Sequence, residues 1–278
     1  MTYAVSIRSI SKTFRRTRAL DAVTINISAG EMVALIGPTG SGKSTLLRLI
    51  AGLEEPDKDS AAGIMLNGQS IQQKGRFSSR SSPQIRSGVG VIFQQFNLIR
   101  RMTLMQNILL GCVPRWRITL GLYRREEKNR ALSALDQVGL KQLARLRASA
   151  LSGEQRQRMA IARTLMQQAN IVLADEPITA LDKKSAKTVM RNLRRLRKQD
   201  GKTVIVSLNQ LDYARKYCKR AIALVNGRVV YDGPVKQLSD DILIQLYGSK
   251  FYAEEVEDEE QLAFAQSRQK QNIALVEV

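Results

Sequence analysis

Histidine is absent from this chain of 278 residues, and cysteine occurs only twice, as Cys112 and Cys218. Without histidine, no imidazole can serve as a general base or as a metal ligand. Two cysteines are too few for a disulfide framework, and without a Cys-x-x-Cys pair a zinc cluster is excluded. Any acid–base or metal chemistry must therefore use other side chains.

Long apolar runs are also missing. No window approaches the roughly 18–20 uninterrupted apolar residues that a membrane-spanning helix needs. The N-terminus, Met1–Ser6, lacks the charged and then apolar pattern of a signal peptide. We therefore expect a soluble, intracellular protein that meets a membrane only through a partner. The apolar content of 44% predicts a packed core, in one large domain or one domain with a smaller lobe.

The charge is strongly unbalanced, with 44 Lys and Arg against 25 Asp and Glu and a formal net charge of +19. An excess of this size indicates an acidic partner, such as nucleic acid, an anionic membrane face or a negatively charged protein. A solvated basic surface explains it equally well. Many of the cations fall between Lys183 and Lys198, where we interpret them mainly as the solvated face of a helix.

A glycine-rich stretch stands between an apolar run at Met32–Ile36, typical of a buried strand, and a helical run at Leu46–Ile50. Strand, glycine-rich turn and helix is the context of a phosphate-binding P-loop. Its backbone N–H groups can converge on an anion, and the helix adds its positive N-terminal end. Lys43 would contact the β- and γ-phosphates, and the Ser44 hydroxyl would ligate Mg²⁺. The residues predicted to bind a nucleoside triphosphate are Gly37, Pro38, Thr39, Gly40, Ser41, Gly42, Lys43, Ser44 and Thr45.

A second apolar run, Ile171–Ala174, ends in the acid pair Asp175 and Glu176. This is the Walker B arrangement, in which the first acid holds Mg²⁺ and the second can polarise water. A strand that merely ends in an acidic turn is the alternative. The P-loop upstream favours the functional interpretation.

Polar or aromatic groups follow several other predicted elements. Gln94 follows the apolar run Val89–Phe93, where an amide either reaches a ligand at the carboxyl end of a strand or only caps it. Ser152 and Gly153 precede a helix and predict a second helix-start anion site. Phe14 lies in a basic turn, where its ring either stacks on adenine or folds onto the core.

The remaining segments predict further strands and a helical region. Strands are predicted at Thr2–Ile10 and Ala22–Ser28, and a surface helix or loop at Gln72–Ser87. A helical period dominates from Thr103 to Leu146. It predicts a small inserted lobe, with a patch around Trp116 and Leu120 that is either a docking surface or the lobe's own core.

Taken in order, the motifs resemble those of ABC-transporter ATP-binding subunits, and the similarity covers about residues 2–250. The resemblance implies an α/β P-loop NTPase core with an N-terminal antiparallel β subdomain and a helical subdomain inserted at about 97–165. An acidic, loosely ordered tail is expected over 251–278. Within the family the chain is most similar to the phosphonate-import subunits. The motifs that carry the resemblance are Gly37–Thr45, Gln94, Leu151–Gln155, Asp175-Glu176 and Ala180–Asp182.

The family implies that two subunits close head to tail around two ATP molecules. The resemblance implies that Mg²⁺ is bound by Ser44, Gln94 and Asp175. Glu176 resembles the general base for the attacking water. The resemblance gives the remaining site residues other contacts: the γ-phosphate in trans for Ser152 and Gly153, the bound nucleotide for Gln155, the dimer contact for Asp182, and adenine for Phe14. Transmembrane permease subunits and a periplasmic binding protein are the implied partners at the cytoplasmic face of the inner membrane, and the transported molecule would not touch this chain.

Two residues depart from the family pattern. Asn209 stands where the family has a histidine that contacts the γ-phosphate. Glu154 replaces a glycine of the family's signature motif, which is Leu151–Gln155 in this chain. Asparagine is shorter and cannot relay a proton. A carboxylate near a triphosphate weakens closure unless it turns away or pairs with Arg156 or Arg158. Binding of ATP with slowed turnover is therefore predicted.

Other functions stay open beside the importer. One is a non-transport ABC ATPase that binds nucleic acid or a multi-enzyme complex, and another is a regulatory subunit impaired in hydrolysis. Non-transport members often carry tandem ATPase domains or long coiled-coil insertions. A single P-loop without such an insertion favours the importer and makes a nucleic-acid partner a weaker expectation.

Overall fold

The structure is a computed structural model that describes residues 2–58, 62–73, 76–77, 88–93, 97–113, 117–118, 120–167, 169–179 and 181–248. The chain divides into two compact units, Met1–Lys236 and Gln237–Val278. The predicted site residue Gln94, the patch residue Trp116 and the predicted tail 251–278 lie outside the described residues.

The described part of the chain contains both strands and helices. The strands are β1 Tyr3–Phe14, β2 Thr17–Ser28, β3 Met32–Ile36, β4 Gly63–Leu66, β5 Gln69–Gln73, β6 Arg76–Phe77, β7 Val89–Ile92, β8 Ile171–Ala174, β9 Thr203–Ser207, β10 Arg220–Val225 and β11 Arg228–Pro234. The helices are α1 Lys43–Ile50, α2 Leu104–Leu109, α3 Arg125–Gln137, α4 Gly153–Gln167, α5 Lys183–Asp200, α6 Leu211–Tyr217 and α7 Asp240–Tyr247. Short 3₁₀ turns occupy Lys141–Leu143, Ala148–Ala150 and Val235–Gln237.

A six-stranded sheet in the order β11-β10-β3-β9-β8-β7 positions the candidate site. Strand β11 is antiparallel to β10, and the other neighbouring strands are parallel. Every residue of β3, β8 and β9 is buried, as expected for parallel strands covered on both faces. Ala174 of β8 is in register with Val206 of β9. The segments that follow β3, β8 and β9 therefore emerge at the same edge.

A five-stranded antiparallel sheet in the order β2-β1-β4-β5-β6 forms the N-terminal part, as predicted. The predicted ends of its first two strands are wrong, because β1 continues to Phe14 and β2 already begins at Thr17. Bulges shift the register of this hairpin several times, so pairing continues where the regular alternation of apolar residues stops. Only Arg15 and Arg16 remain in the turn.

The hairpin of β4 and β5 corrects a second prediction. Asn67 and Gly68 form a tight turn with φ angles of 47° and 78°, the left-handed geometry that a two-residue hairpin requires. Pairing then continues to Gln73, opposite Gly63. The N-terminal part of the predicted surface helix or loop, Gln72–Ser87, is therefore strand. Apart from β6, the rest of that segment lies outside the described residues.

Helix α1 belongs to a core that includes residues of both sheets. Its apolar side chains Leu46, Leu47, Leu49 and Ile50 are all buried. Burial of four such side chains contributes roughly 1.5–3 kcal/mol each relative to exposure. The helix that begins at Lys43 is therefore firmly fixed to the sheet that carries the site.

Between β7 and β8 the described residues contain α2 and α3, which the helical period of Thr103–Leu146 predicted, and then α4. This segment belongs to the first compact unit. Later in the chain, α5 buries an apolar face that includes Val189, Met190 and Leu193. Its lysines and arginines are largely exposed, and none of them forms a salt bridge among the described residues. Within the described residues, no helix combines the length and the apolar character needed to cross a bilayer.

Candidate nucleotide-binding site

The P-loop between β3 and α1 approaches neighbouring backbone too closely for side chains at two of its glycines. A Cβ at Gly37 would lie 2.1 Å from the carbonyl oxygen of Leu224, and one at Gly42 would lie 2.5 Å from that of Ala19. Both residues have positive φ angles, 137° and 103°. The two ends of the loop are therefore fixed against β10 and β2, and other residues would distort it.

Lys43 starts α1 and is only 4% exposed. Its ammonium donates to the carbonyl oxygens of Gly37 at 2.6 Å and of Pro38 at 2.9 Å. Burial lowers the pKa of Lys43 below its ordinary value, and the nearby carboxylates of Glu176 and Asp175 raise it in part. A cation stripped of water in this way is suited to bind an anion.

The inside of the loop also carries an unsatisfied hydroxyl. The Ser41 Oγ is buried and has no hydrogen-bond partner among the described residues. Such atoms are uncommon in native structures and often indicate a ligand or water. Together with the backbone of the loop and Lys43, this hydroxyl fits the binding of a triphosphate.

Ser44 and Asp175 come together as the sequence predicts. The Ser44 Oγ donates to the Asp175 Oδ1 at 2.9 Å and so connects the start of α1 to the end of β8. Hydroxyl and carboxylate oxygens are hard ligands of the kind that Mg²⁺ prefers. In nucleotide sites this ion is typically held by one or two protein groups and the substrate phosphates. The two residues therefore fit the predicted Mg²⁺.

Glu176 and Asn209 are also brought together. The Glu176 Oε1 accepts a hydrogen bond from the Asn209 Nδ2 at 3.1 Å, and its Oε2 accepts one from the Thr179 Oγ1 at 3.3 Å. The Asn209 Oδ1 is buried without a partner among the described residues. Both oxygens of the candidate general base are thus held by neighbouring side chains, and one of these, Asn209, is the residue that the resemblance aligns with the family's histidine.

Ser207 is a member of the site that the sequence analysis missed. It ends β9, is fully buried, and lies within hydrogen-bond distance of both acids of the Walker B pair. A serine at the end of a valine-rich run does not differ from an ordinary strand end in the sequence. Only the pairing of β9 with β8 in the structure brings the last residue of β9 to Asp175.

The signature segment forms a capping box at the start of α4. The Ser152 Oγ accepts a hydrogen bond from the Gln155 amide N at 3.2 Å, and the Gln155 Oε1 accepts one from the Ser152 amide N at 3.0 Å. A Cβ at Gly153 would meet no atom within 4 Å. Nothing within the described part of this chain therefore requires glycine at that position.

Glu154, the departure within the signature, forms an ion pair along the helix. Its Oε1 lies 3.5 Å from Arg158 Nη2. This is one of the two pairings that would reduce the repulsion of a triphosphate. An exposed pair of this kind screens charge but contributes little stability.

Asp182 has a structural role as the N-cap of α5. Its Oδ1 accepts from the amide N of Lys184 and of Ser185, and its Oδ2 accepts from the Ser185 hydroxyl. The hydrogen bonds from Ser185 hold the pKa of Asp182 below its ordinary value. Its predicted part in a dimer contact stays a prediction.

Phe14 lies at the end of β1 and is 40% exposed. The alternative that its ring folds onto the core is therefore wrong. The ammonium of Lys12 lies 4.9 Å from the ring centroid, a cation–π distance. The ring remains accessible for the predicted stacking on adenine.

The P-loop, its buried lysine and the acid pair meet at the carboxyl edge of a mostly parallel sheet. This arrangement defines a P-loop nucleotide-binding protein. A family model described as ABC transporter matches residues 20–179. The chain therefore belongs to the ABC transporter family of ATP-binding proteins, as the motifs predicted.

Known proteins are similar in sequence to this chain over about nine-tenths of its length. It is 50% identical over 252 residues to the "Phosphonates import ATP-binding protein PhnC 2" of Pseudomonas savastanoi pv. phaseolicola, covering 90% of this chain and 91% of that protein. Identity to the protein PhnC of Maricaulis maris is also 50%, over 89% of this chain and 94% of the relative. Among solved structures, the dimeric ATP-binding cassette MJ0796 bound to ADP and Pi is 33% identical with a TM-score of 0.71, over 83% of this chain and 98% of that chain.

Proposed function

We propose that this chain is the ATP-hydrolysing subunit that energises a phosphonate importer. The observation that carries the proposal is the meeting of Lys43, Ser44, Asp175 and Glu176 at one sheet edge, in a chain half identical to proteins named for phosphonate import.

The site residues can be assigned to the steps of an in-line hydrolysis. Lys43 and the loop amides would bind the phosphates, and the oxygen of a water held by Glu176 would attack the γ-phosphorus. The bond to the bridging oxygen breaks, ADP leaves, and the proton of the water passes to the Glu176 carboxylate. Ser44 and Asp175, with Gln94 from outside the described residues, would hold Mg²⁺, which neutralises phosphate charge when bound. Asn209 and Thr179 orient the carboxylate.

A second copy of the chain would complete the site. Among the described residues, none lies within 4 Å of a Cβ at Gly153, and no hydrogen bond joins Ser152 or Gln155 to the P-loop. The related cassette MJ0796 is dimeric. Both observations support a head-to-tail dimer in which Ser152, Gly153 and Gln155 contact the γ-phosphate in trans.

Permease subunits would dock on the helical insertion from the cytoplasmic face of the inner membrane, and a periplasmic binding protein would deliver the substrate. Support comes from Leu120 and Leu122, which are 66% and 54% exposed on this segment. Exposed leucines two residues apart are typical of a contact surface. The transported molecule would not touch this chain.

Co-purification tests this assignment. We expect the full-length chain, expressed with the membrane proteins encoded beside it, to purify in detergent with a permease and to hydrolyse ATP faster when a phosphonate and its binding protein are added. A Leu120→Asp/Leu122→Asp variant should lose the permease. Leu53→Asp, which changes a leucine of equal exposure (54%) in a polar turn, should keep it.

One result of the co-purification would contradict the assignment to an importer. Purification without a membrane partner, but with nucleic acid that salt releases, would contradict the importer and support the non-transport alternative.

Restoring the family residues should accelerate turnover. We expect Asn209→His to raise the steady-state ATPase rate on the order of 10²-fold, since one lost polar contact to a transition state costs about 10²–10³ in rate. Glu154→Gly should give a smaller gain, because Arg158 already screens that carboxylate. Gln210→His, at the exposed neighbour, is the control. No gain in either variant would refute the prediction of slowed turnover.

A further inference from the structure

One hydroxyl group connects the two acids of the Walker B pair. The Ser207 Oγ donates to the Asp175 Oδ1 at 2.9 Å and accepts from the Glu176 amide N at 2.6 Å. Ser207 is 0% exposed. A serine in this position is therefore not a surface group that happens to lie near the site.

The contact with Asp175 bears on the metal ligands. The Oδ1 of this carboxylate accepts hydrogen bonds from both Ser44 and Ser207. Ser44 is itself a candidate ligand and would bind the metal ion directly. Ser207 has its hydrogen bonds within the protein, so it is the group that fixes the orientation of the carboxylate. Groups of this kind outside the ligand set typically change metal affinity by 10- to 100-fold when they are removed.

The contact with Glu176 bears on the general base. Glu176 has a φ angle of 44°, in the left-handed region that residues with a Cβ seldom adopt. Its amide N–H is held there by Ser207, while its carboxylate meets Asn209 from the segment that follows the same strand. The backbone turn that aims the carboxylate thus depends on the last residue of β9.

We propose that Ser207 is a positioning residue that holds Asp175 for the metal ion and Glu176 for the attacking water through a single hydroxyl. This inference rests on the proposed function and adds a residue to it. It predicts that removal of the hydroxyl affects metal binding and hydrolysis together, but leaves metal-free nucleotide binding intact.

The test compares two buried hydroxyls of the same strand. Ser207→Ala removes the proposed link. Thr203→Val removes a hydroxyl at the other end of β9, which is 2% exposed and accepts from the Gly30 amide N at 3.0 Å. Thermal unfolding of both variants measures the structural cost of each lost hydrogen bond.

Metal affinity gives the decisive readout. We expect the Mn²⁺ concentration for half-saturation of the ATP-bound full-length chain, followed by electron paramagnetic resonance, to rise about 10-fold or more in Ser207→Ala. The steady-state kcat should fall at least as much, while ATP affinity in EDTA stays at the wild-type value. Thr203→Val should match the wild type in all three. Ser207→Thr, which keeps the hydroxyl, should retain the wild-type Mn²⁺ requirement.

The outcomes separate this inference from the assignment on which it rests. A wild-type chain that neither binds nor hydrolyses ATP would remove the proposed function. A wild type that hydrolyses ATP, with a Mn²⁺ requirement unchanged in Ser207→Ala or equally raised in Ser207→Thr, would overturn only the role of Ser207.

Discussion

Replacing Lys43 with alanine is expected to abolish ATP hydrolysis and to weaken ATP binding by roughly 10- to 100-fold, the equivalent of one charge-assisted hydrogen bond. The ammonium is buried and already bonded to two carbonyl oxygens of the P-loop. Its removal therefore takes away both the cation for the phosphates and a support of the loop itself. Titration of a fluorescent ATP analogue measures the loss.

Lys202→Ala is the matched control. Lys202 is a partly buried lysine whose ammonium also donates to a backbone carbonyl, that of Ala169, and burial lowers its pKa as it does for Lys43. It lies before β9, at the edge of the sheet away from the P-loop. Equal nucleotide affinity in Lys43→Ala and Lys202→Ala would mean that the loop is not the ATP site.

Glu176→Gln should separate ATP binding from hydrolysis. The amide keeps the shape of the carboxylate but cannot take a proton from water, so we expect kcat to fall at least about 100-fold. Binding should persist, because the P-loop and Lys43 are unchanged. With hydrolysis blocked, ATP should convert the chain into a dimer that size-exclusion chromatography detects.

The same chemical change at Glu31 provides the comparison. Glu31 is a partly buried carboxylate that accepts from the Ser28 amide N and pairs with Arg220. It immediately precedes β3, whereas the P-loop follows that strand. Glu31→Gln should lower thermal stability and leave kcat unchanged. Hydrolysis at the wild-type rate in Glu176→Gln would exclude Glu176 as the base.

The motifs predicted the family, and the resemblance to that family implied the antiparallel N-terminal sheet. The buried strand that leads to the acid pair at Asp175 was predicted from a local pattern. A run such as Ile171–Ala174 is apolar because both faces of a central strand are covered, and its first polar residue marks the edge where ligands bind.

Failures occurred where the outcome depends on pairing between distant segments. The extension of β1 to Phe14 needs bulges and a partner strand, which a strict alternation of residues does not show. The role of Ser207 depends on the register of β9 against β8. The spacing of a motif shows neither of these. The pairing of Glu154 with Arg158, four residues on along α4, was one of the alternatives that the sequence left open.

The in-register pairing of Ala174 with Val206 makes the length of β9 a functional constraint in its own right. Because successive side chains of a strand point to opposite faces, loss or gain of one residue inside β9 would replace Ser207 by an apolar neighbour beside the acid pair. Exchange of valine for isoleucine along β9 should therefore disturb the site far less than the insertion or deletion of a single residue there.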